Sequence, residues 1–384
     1  MTLPLRPTYL EVNLPRLRDN VNAIRKHVGT AQVLVMLKAN AYGHGIDGVA
    51  PYIEPFVDQI GVAILDEGIA LRKMGIKRPI LVAGGTLPSL VPYYVENDLT
   101  LTVSSYEILN AAESAANSLG KKLKVHIKID TGMERSGIRW YESAPFLEKT
   151  LECKNLDIEG IYTHFANSET LEDGIVEHKE HFSYASQQLS RFEEALSFYS
   201  ARSLPYPRLR HTANSAAILN LPESYYEMVR PGVMFYGVYP DDDVNRSIEI
   251  NPALTWRSSL VYSKRTRAGN PVSYGSLWAP ENDTNIGTIP CGYADGYFRR
   301  MSGYPSVIVN GKIVQQVGRI CMDQCMVNLG NDEAPIGSDV ILLGKHPKTG
   351  KEVTAEDLAA WAGTNPYEVM TNISARVPRH FIYD

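Results

Sequence analysis

Several ionisable side chains follow short apolar segments of this sequence. Lys38 lies in LKANAYGHG, Arg135 in KIDTGMERSG, His164 in YTHFA and Arg230 in VRPG. If those segments are the parallel strands of a barrel, their carboxyl ends meet at one face and the four side chains converge there. Charged groups at the ends of apolar strands are costly unless they face a polar site. The set therefore predicts a cation-rich site at this face.

Each of these residues also has an ordinary explanation when taken alone. A single lysine after a strand is usually a solvated surface charge, and His164 alone would more often be a half-buried ring than a catalyst. Ser215, in HTANSAA, could be only a helix N-cap, and Gly232 only a turn residue. It is the convergence of the whole set that favours a functional site.

Ser215 and the pair Gly232-Val233 follow the last two of the apolar segments. The ends of the seventh and eighth strands of a barrel commonly bind phosphate through backbone N–H groups. A phosphate and a strand-end lysine together suggest pyridoxal 5'-phosphate, held as a Schiff base and used as an electron sink. Arg230 would then be available for the pyridine nitrogen.

Eight apolar segments, separated by stretches of helical period, position these residues. Near-continuous apolar strands belong to parallel sheets, and repeats of about 25 residues fit a (β/α)8 TIM barrel better than an open sheet. The predicted strands cover residues 33–38, 60–65, 79–84, 99–103, 124–130, 158–165, 207–212 and 226–230.

Two helices can be placed between these strands. Ser104 and Glu107 have the spacing of a capping box, Leu119 is the last residue of the apolar face, and Gly120 supplies the stop. A longer helix is predicted over about residues 175–202 from its apolar periodicity.

The pattern changes after Pro240. Short alternating segments punctuated by turns such as Asn310-Gly311 predict a mostly β region, with a short helix over about 355–362. We therefore predict a barrel domain over residues 1–243, of which residues 1–14 could pack with the second domain, and a mainly β domain over residues 244–384.

Composition excludes several classes of protein. Lys and Arg total 38 against 43 Asp and Glu, without the run of like charges that a nucleic-acid arm or polybasic membrane patch needs. The four cysteines are too few for a disulfide scaffold, and Cys321 and Cys325 lack a second pair or a nearby histidine for zinc. With no apolar run long enough to span a membrane, we expect a cytoplasmic enzyme without bound metal, nucleic acid or membrane partner.

The motifs VMLKANAYGHG, HIKIDTGMERSG, YTHFA, HTANSAA, VRPG, VSYG, CGYADGY, GRICMDQ and RVPR resemble those of alanine racemase, in order and over nearly the whole chain. The resemblance implies a PLP-dependent isomerase of fold-type III that interconverts L-alanine and D-alanine. It also implies a homodimer whose sites are shared between subunits, and a product used as a peptidoglycan precursor.

The resemblance assigns two catalytic residues. Lys38 matches the lysine that binds the cofactor and acts as base for D-alanine, and Tyr274, in VSYG, matches the base for L-alanine. A racemase must remove the α-proton from either enantiomer, so a base on each face is a chemical requirement. His164 and Arg230 match residues behind the tyrosine, where positive charge would stabilise its phenolate, and His211 matches a histidine next to that arginine.

The remaining matched positions bind the cofactor and the substrate. Positions that bind phosphate in the family correspond to Tyr42, Ser215, Gly232 and Val233. Arg135, the Met322 backbone and Asp323 match groups at the substrate carboxylate, to which an arginine fork is suited, and Lys128 matches a lysine that is carbamylated in some relatives. Tyr274, Met322 and Asp323 reach the site from the second subunit in the family.

Ala375 departs from the family pattern and leaves an alternative substrate range open. Ala375 stands before RVPR, where some relatives carry a tyrosine that narrows the entrance. A wider entrance would suit a broad-specificity or serine racemase of the same fold. A PLP-binding protein without catalysis is a third hypothesis, but such single-barrel proteins lack the second domain and its tyrosine. Turnover of alanine, serine, lysine and arginine separates the first two hypotheses, and exchange of the α-hydrogen tests the third.

Overall fold

The computed structural model describes residues 5–169 and 184–384. The chain divides into two compact units. The barrel unit comprises the described residues of Leu17–Ala41 and Val49–Ile250. The β unit comprises those of Met1–Arg16, Tyr42–Gly48 and Asn251–Asp384.

The strands in the described residues are β1 (Tyr9–Asn13), β2 (Gln32–Met36), β3 (Gln59–Val62), β4 (Ile80–Val82), β5 (Thr100–Val103), β6 (Leu123–Asp130), β7 (Ile138–Arg139), β8 (Leu156–Tyr162), β9 (Leu209–His211), β10 (Met228–Val229), β11 (Leu254–Ser259), β12 (Tyr262–Thr266), β13 (Thr284–Ile289), β14 (Ser306–Val309), β15 (Lys312–Val317), β16 (Cys325–Gly330), β17 (Asp339–Lys345), β18 (Glu352–Val353) and β19 (Arg379–Ile382). The helices are α1 (Leu14–Val28), α2 (Lys38–Tyr42), α3 (Ile46–Ile53), α4 (Leu65–Lys73), α5 (Val91–Glu96), α6 (Tyr106–Ser118), α7 (Ser143–Thr150), α8 (Tyr184–Ala201), α9 (Ser215–Asn220), α10 (Ala355–Ala362) and α11 (Pro366–Thr371).

The barrel unit contains a parallel sheet in the order β10-β2-β3-β4-β5-β6-β8-β9. Backbone hydrogen bonds from Glu227 N to Arg210 O (3.2 Å) and from Arg230 N to Ala213 O (2.9 Å) join the chain at the two ends of this order. Each of the eight predicted strands is present, and the predicted (β/α)8 barrel is confirmed. Strands β3, β4 and β5 are buried at every residue, which explains their continuous apolar pattern.

Two of the predicted helices differ in detail from the structure. Helix α6 begins one residue later than predicted, because Ser105 rather than Ser104 accepts the capping hydrogen bond from Ile108 N. Leu119 is 40% exposed rather than buried, since it lies at the helix end, and Gly120 follows in the left-handed conformation. The predicted helix over residues 175–202 lies partly outside the described residues, within which α8 begins at Tyr184.

The β unit contains a mostly antiparallel sheet in the order β12-β13-β16-β15-β14-β17-β11-β1-β19, with β18 paired to β17. Asn310 (φ 46°) and Gly311 (φ 77°) form the predicted turn between β14 and β15, where both positions need positive φ. Helix α10 has the predicted bounds. No helix among the described residues is both long and apolar enough to cross a membrane.

Candidate active site

Four cationic side chains and a histidine lie together at the carboxyl ends of the barrel strands. Lys38 follows β2, Lys128 lies in β6, Arg135 follows β6 and Arg230 follows β10. Burial and then Arg230, Arg135, Lys128 and Lys38 hold the pKa of the His164 imidazole well below its usual value. The predicted convergence of charge is therefore present within the barrel unit, and His164 is neutral at physiological pH.

Lys38 is partly buried, with the guanidinium of Arg135 nearby. Burial is the main cause that lowers the pKa of the Lys38 amine, and Arg135 lowers it further, whereas the Glu67 carboxylate raises it. A lower pKa gives a larger fraction of neutral amine, the form that attacks an aldehyde. Arg135 itself is exposed at the barrel mouth, where a ligand can reach it.

The backbone after Lys38 forms a single left-handed helical turn. The φ angles of Ala39, Asn40, Ala41 and Tyr42 are 52°, 56°, 54° and 49°. For residues with a Cβ this conformation costs about 1–2 kcal/mol each, so surrounding contacts must hold it. No residue pattern in KANAY predicts this turn, because non-glycine residues rarely adopt positive φ in succession.

Arg230 is held by five hydrogen bonds from its two terminal nitrogens. Nη1 donates to His211 O (2.8 Å) and His211 Nδ1 (2.8 Å). Nη2 donates to Thr163 O (2.8 Å), Thr212 O (3.0 Å) and His164 Nδ1 (3.4 Å). Burial lowers the pKa of the guanidinium to about 10, so it remains charged at neutral pH. These bonds fix the plane of the guanidinium and leave Nε as its further donor.

Two buried histidines connect Arg230 to a carboxylate. His211 Nε2 lies 2.9 Å from His126 Nδ1, and His126 Nε2 lies 3.4 Å from Glu159 Oε2. An arginine only donates, so His211 Nδ1 accepts, and each neutral ring then donates from Nε2 to the next group. Burial lowers the pKa of both imidazoles, which keeps them neutral. We call His211, His126 and Glu159 the polar chain.

The sequence interpretation included His211 but missed His126 and Glu159. His126 could have been found from the alternation of polar and apolar residues in VHIKID of β6. This alternation puts His126 on the same side of the strand as Lys128. Gly160 also belongs to this arrangement, because a Cβ at that position would lie 2.7 Å from the His126 ring.

Lys128 is buried beside Ser136. Its Nζ donates to Ser136 Oγ (2.8 Å) and lies 5.8 Å from the centre of the Tyr162 ring. Burial, followed by the charges of Arg135 and Arg230, lowers the pKa of the amine to about 8. A substantial fraction of this amine is therefore neutral and nucleophilic near physiological pH.

A hydrogen bond joins the predicted phosphate-binding residues of the barrel unit. Ser215, the first residue of α9, is buried, and its Oγ accepts from Gly232 N (2.8 Å) and Met234 N (3.5 Å). Val233 lies between those two N–H groups in the same turn. Tyr42, also predicted at the phosphate, belongs to the β unit; it is buried, which raises the pKa of its phenol.

Tyr274, Met322 and Asp323 line one open concavity of about 1070 Å³ in the β unit. The Tyr274 side chain is 71% exposed. Positive φ angles flank it, at Ser273 (69°) and Gly275 (76°), and Ser273 Oγ donates to Arg319 O (2.7 Å). Asp323 accepts a hydrogen bond of 2.7 Å from Arg376. The β unit thus groups its three predicted site residues by itself.

Metal chemistry has no obvious site in the part of the chain that the structure describes. No group of three or more His, Cys, Asp or Glu side chains there is arranged to hold an ion. The cysteines in these ranges are free thiols, and Cys291 and Cys325 are buried.

Comparison with known proteins gives a consistent result over the whole length. Residues 12–240 match the alanine racemase N-terminal domain, and residues 253–381 match the alanine racemase C-terminal domain. An alanine racemase of Carboxydothermus hydrogenoformans is 42% identical over 382 residues, covering 98% of this chain and 100% of the relative.

Solved structures agree with the sequence comparison. The alanine racemase of Clostridium difficile 630 has a TM-score of 0.91 at 35% identity, covering 99% of this chain and 97% of that chain. The alanine racemase of Bacillus anthracis with bound L-Ala-P has a TM-score of 0.89 at 35% identity, covering 100% and 97%. The same family therefore matches in both domains, in sequence and in structure, and the chain belongs to the alanine racemases, a family of PLP-dependent isomerases.

Proposed function

We propose that this protein interconverts L-alanine and D-alanine by two-base chemistry with pyridoxal 5'-phosphate, Lys38 and Tyr274 being the two bases. The observation that carries the proposal is the barrel site itself. Lys38, whose amine has a lowered pKa, and Arg230, which is fixed by five hydrogen bonds, both act on the His164 imidazole, together with Arg135 and Lys128. The family comparisons do not favour the broad-specificity or serine alternative.

The residues present fit this cofactor. Lys38 offers an amine to an aldehyde, Arg230 offers Nε–H to a pyridine nitrogen, and Ser215 and Val233 offer a hydroxyl and a backbone N–H to a phosphate. The buried cations favour a ligand that brings anionic groups. When bound, the cofactor supplies an electron sink for the electron pair left behind by the α-proton.

The protein side chains would divide the remaining work. Lys38 would hold the cofactor covalently until the substrate amine displaces it, and the released Lys38 amine would then exchange the α-proton on one face of the substrate. Tyr274 would do so on the other face, which the reversal of configuration requires. The exposed guanidinium of Arg135 would bind the substrate carboxylate, with Met322 N–H and Asp323 nearby.

Arg230 would also restrict side reactions. A guanidinium, even with its pKa lowered to about 10, does not readily give a proton to a pyridine nitrogen. Arg230 would therefore hold the ring nitrogen by a hydrogen bond without protonating it. Protonation away from the α-carbon, which leads to transamination, would be correspondingly suppressed.

We further propose that the catalytic unit is a homodimer in which Tyr274, Met322 and Asp323 of one protomer complete the barrel site of its partner. Support comes from the exposure of Tyr274. A phenol that is 71% exposed is accessible to another protomer, whose barrel site would bring the positive charge that stabilises a phenolate.

The cofactor assignment is tested by borohydride reduction of the purified protein followed by peptide mapping. We expect the cofactor on the peptide that contains Lys38, together with exchange of the α-hydrogen of alanine in deuterated water. A colourless preparation with full activity would overturn the assignment. Turnover measured in parallel with serine, lysine and arginine should be much lower than with alanine.

The shared site is tested by mixing Lys38→Ala and Tyr274→Phe proteins after mild dissociation. Each parent is inactive in L-to-D conversion, but a hybrid dimer would contain one site with both residues. We expect recovery of about one quarter of the wild-type rate, because half of the dimers are hybrids with one of two sites restored. No recovery, despite hybrids seen by native mass spectrometry, would contradict shared sites.

A further inference from the structure

Glu67 connects two separate stretches of the barrel unit through its carboxylate. One oxygen, Oε2, accepts from Ala63 N (2.8 Å) and Ile64 N (3.3 Å), and the other, Oε1, accepts from Ala39 N (2.6 Å). Ala63 and Ile64 lead from β3 into α4, whereas Ala39 is the residue directly after Lys38. A side chain at the start of one helix thus binds the backbone next to the proposed catalytic lysine.

Helix capping explains the hydrogen bonds of only one of the two Glu67 carboxylate oxygens. An acidic residue at the third helical position commonly reaches back to the N–H groups before the helix, and Oε2 does this. The bond from Ala39 N to Oε1 spans 28 residues and adds nothing to α4. It must be explained by what it does for the left-handed turn at Lys38–Tyr42.

The left-handed turn needs such a contact. Ala39 is the first of its four residues with positive φ, so its N–H direction differs from that of an extended or right-handed chain. A carboxylate that accepts this N–H favours the left-handed form over the more relaxed conformations that the chain would otherwise adopt. The same turn determines the direction in which Lys38 leaves the backbone.

We propose that Glu67 is a positioning residue for Lys38: through Ala39 N–H it holds the left-handed turn and thereby orients the lysine side chain. The inference rests on the proposed function only for the catalytic role of Lys38. The Glu67 carboxylate also acts electrostatically on the Lys38 amine. The charged or titratable neighbours of that amine are Arg135, Lys128 and His164, and Glu67 is the anion that opposes the effect of Arg135.

The geometric part is tested by amide hydrogen exchange of the intact holoenzyme, read on fragments that resolve the Ala39 amide. In Glu67→Ala we expect this amide to exchange on the order of tenfold faster or more. Glu67→Gln, which keeps an acceptor oxygen and a residue type that caps helices, should show a smaller increase. Asp66→Asn is the matched control, because Asp66 is exposed in the same helical turn and loses the same charge.

The kinetic part uses the same variants. We expect Glu67→Ala to lower kcat on the order of tenfold with little change in KM, and Glu67→Gln to restore most of it. Loss of the carboxylate removes the influence that raises the pKa of Lys38. In both Glu67 variants, therefore, the limb of the pH profile due to Lys38 should move to lower pH, whereas a residue that only caps α4 would leave the limb in place.

The two possible failures are distinguishable. If wild-type enzyme racemises alanine but Ala39 exchanges equally in wild type, Glu67→Ala and Asp66→Asn, the positioning role is wrong and the proposed function stands. If wild type does not racemise alanine, faster exchange in Glu67→Ala still supports the role of Glu67 in the turn. Equal pH profiles in wild type and Glu67→Gln would overturn the electrostatic part.

Discussion

The two proposed bases occupy opposite kinds of environment. Lys38 is partly buried among charges of its own barrel unit, whereas Tyr274 is 71% exposed in its own β unit. Both lie next to backbone with positive φ, at Ala39 (52°) and Ser273 (69°). The difference teaches that the lysine half of the site is organised within the barrel unit, whereas the proposed tyrosine base stays open to solvent in the β unit.

Replacement of Lys38 should have the largest effect. In Lys38→Ala the cofactor loses its covalent attachment and one face loses its base, so turnover in both directions should fall below detection. Reduction with borohydride should no longer label the chain. Lys121→Ala, at an exposed lysine after α6, is the control and should behave as wild type. Retained activity in Lys38→Ala without added amine would contradict the role of Lys38.

Replacement of Tyr274 should slow proton removal from L-alanine and leave the stability of the protein unchanged. In Tyr274→Phe we expect proton removal from L-alanine to slow by about 10²–10⁴-fold, the usual contribution of a general base. The melting temperature should not change, because the hydroxyl is exposed. Tyr262→Phe, another exposed tyrosine of the same concavity, is the matched control. An unchanged rate of L-alanine exchange in deuterated water would remove Tyr274 from the mechanism.

Replacement of Arg230 should lower the stability of the protein, because Arg230 binds buried backbone groups of the barrel unit. Arg230→Gln cannot satisfy the carbonyl groups of Thr163, His211 and Thr212, so the free energy of unfolding should fall by about 2–5 kcal/mol. Urea denaturation measures this, with the exposed Arg208→Gln as a control. Equal stability of both variants would mean that the five hydrogen bonds of Arg230 are not important for folding.

The buried histidines should make the barrel sensitive to acid. Burial lowers the pKa values of His126, His164 and His211 in the folded protein, so below about pH 6.5 the unfolded chain binds protons that the folded chain does not. Stability should therefore fall as pH decreases below that value, by up to about 1.4 kcal/mol per pH unit for each histidine.

Urea titrations between neutral and acidic pH test this sensitivity. His211→Asn should flatten the pH dependence of stability, because one imidazole no longer gains its proton on unfolding. His27→Asn, at an exposed histidine of α1, is the matched control. Equal slopes in the two variants would show that the polar chain titrates as freely in the folded state as in the unfolded one.

The parts of the fold that depend on local pattern were predictable. Strands such as β2 (QVLVM) and β4 (ILV) follow from runs of Val, Ile and Leu, because parallel strands buried on both faces need them. Helix α10 and the turn at Asn310-Gly311 follow from capping and turn residues. The cap of α6 was wrong by one residue, since two adjacent serines present the same signal and backbone geometry chooses between them.

The parts that depend on distant contacts were not predictable. The left-handed turn after Lys38 involves a carboxylate 28 residues away, and nothing in KANAY announces it. In the same way, His126 and Glu159 lie in different strands and acquire a role only when β6 and β8 pair. The motifs identified which residues lie at the barrel mouth, but not the groups that hold them there.

The polar chain has a consequence for how the barrel assembles. His126, Glu159 and His211 belong to β6, β8 and β9, and successive residues of a strand face opposite sides. A shift of β6 by one residue would turn His126 away from both partners and present an apolar side chain to them, leaving Glu159 and His211 orphaned. It would also remove the ring for which Gly160 leaves room. These residues therefore penalise a one-residue shift of β6 against β8 and β9.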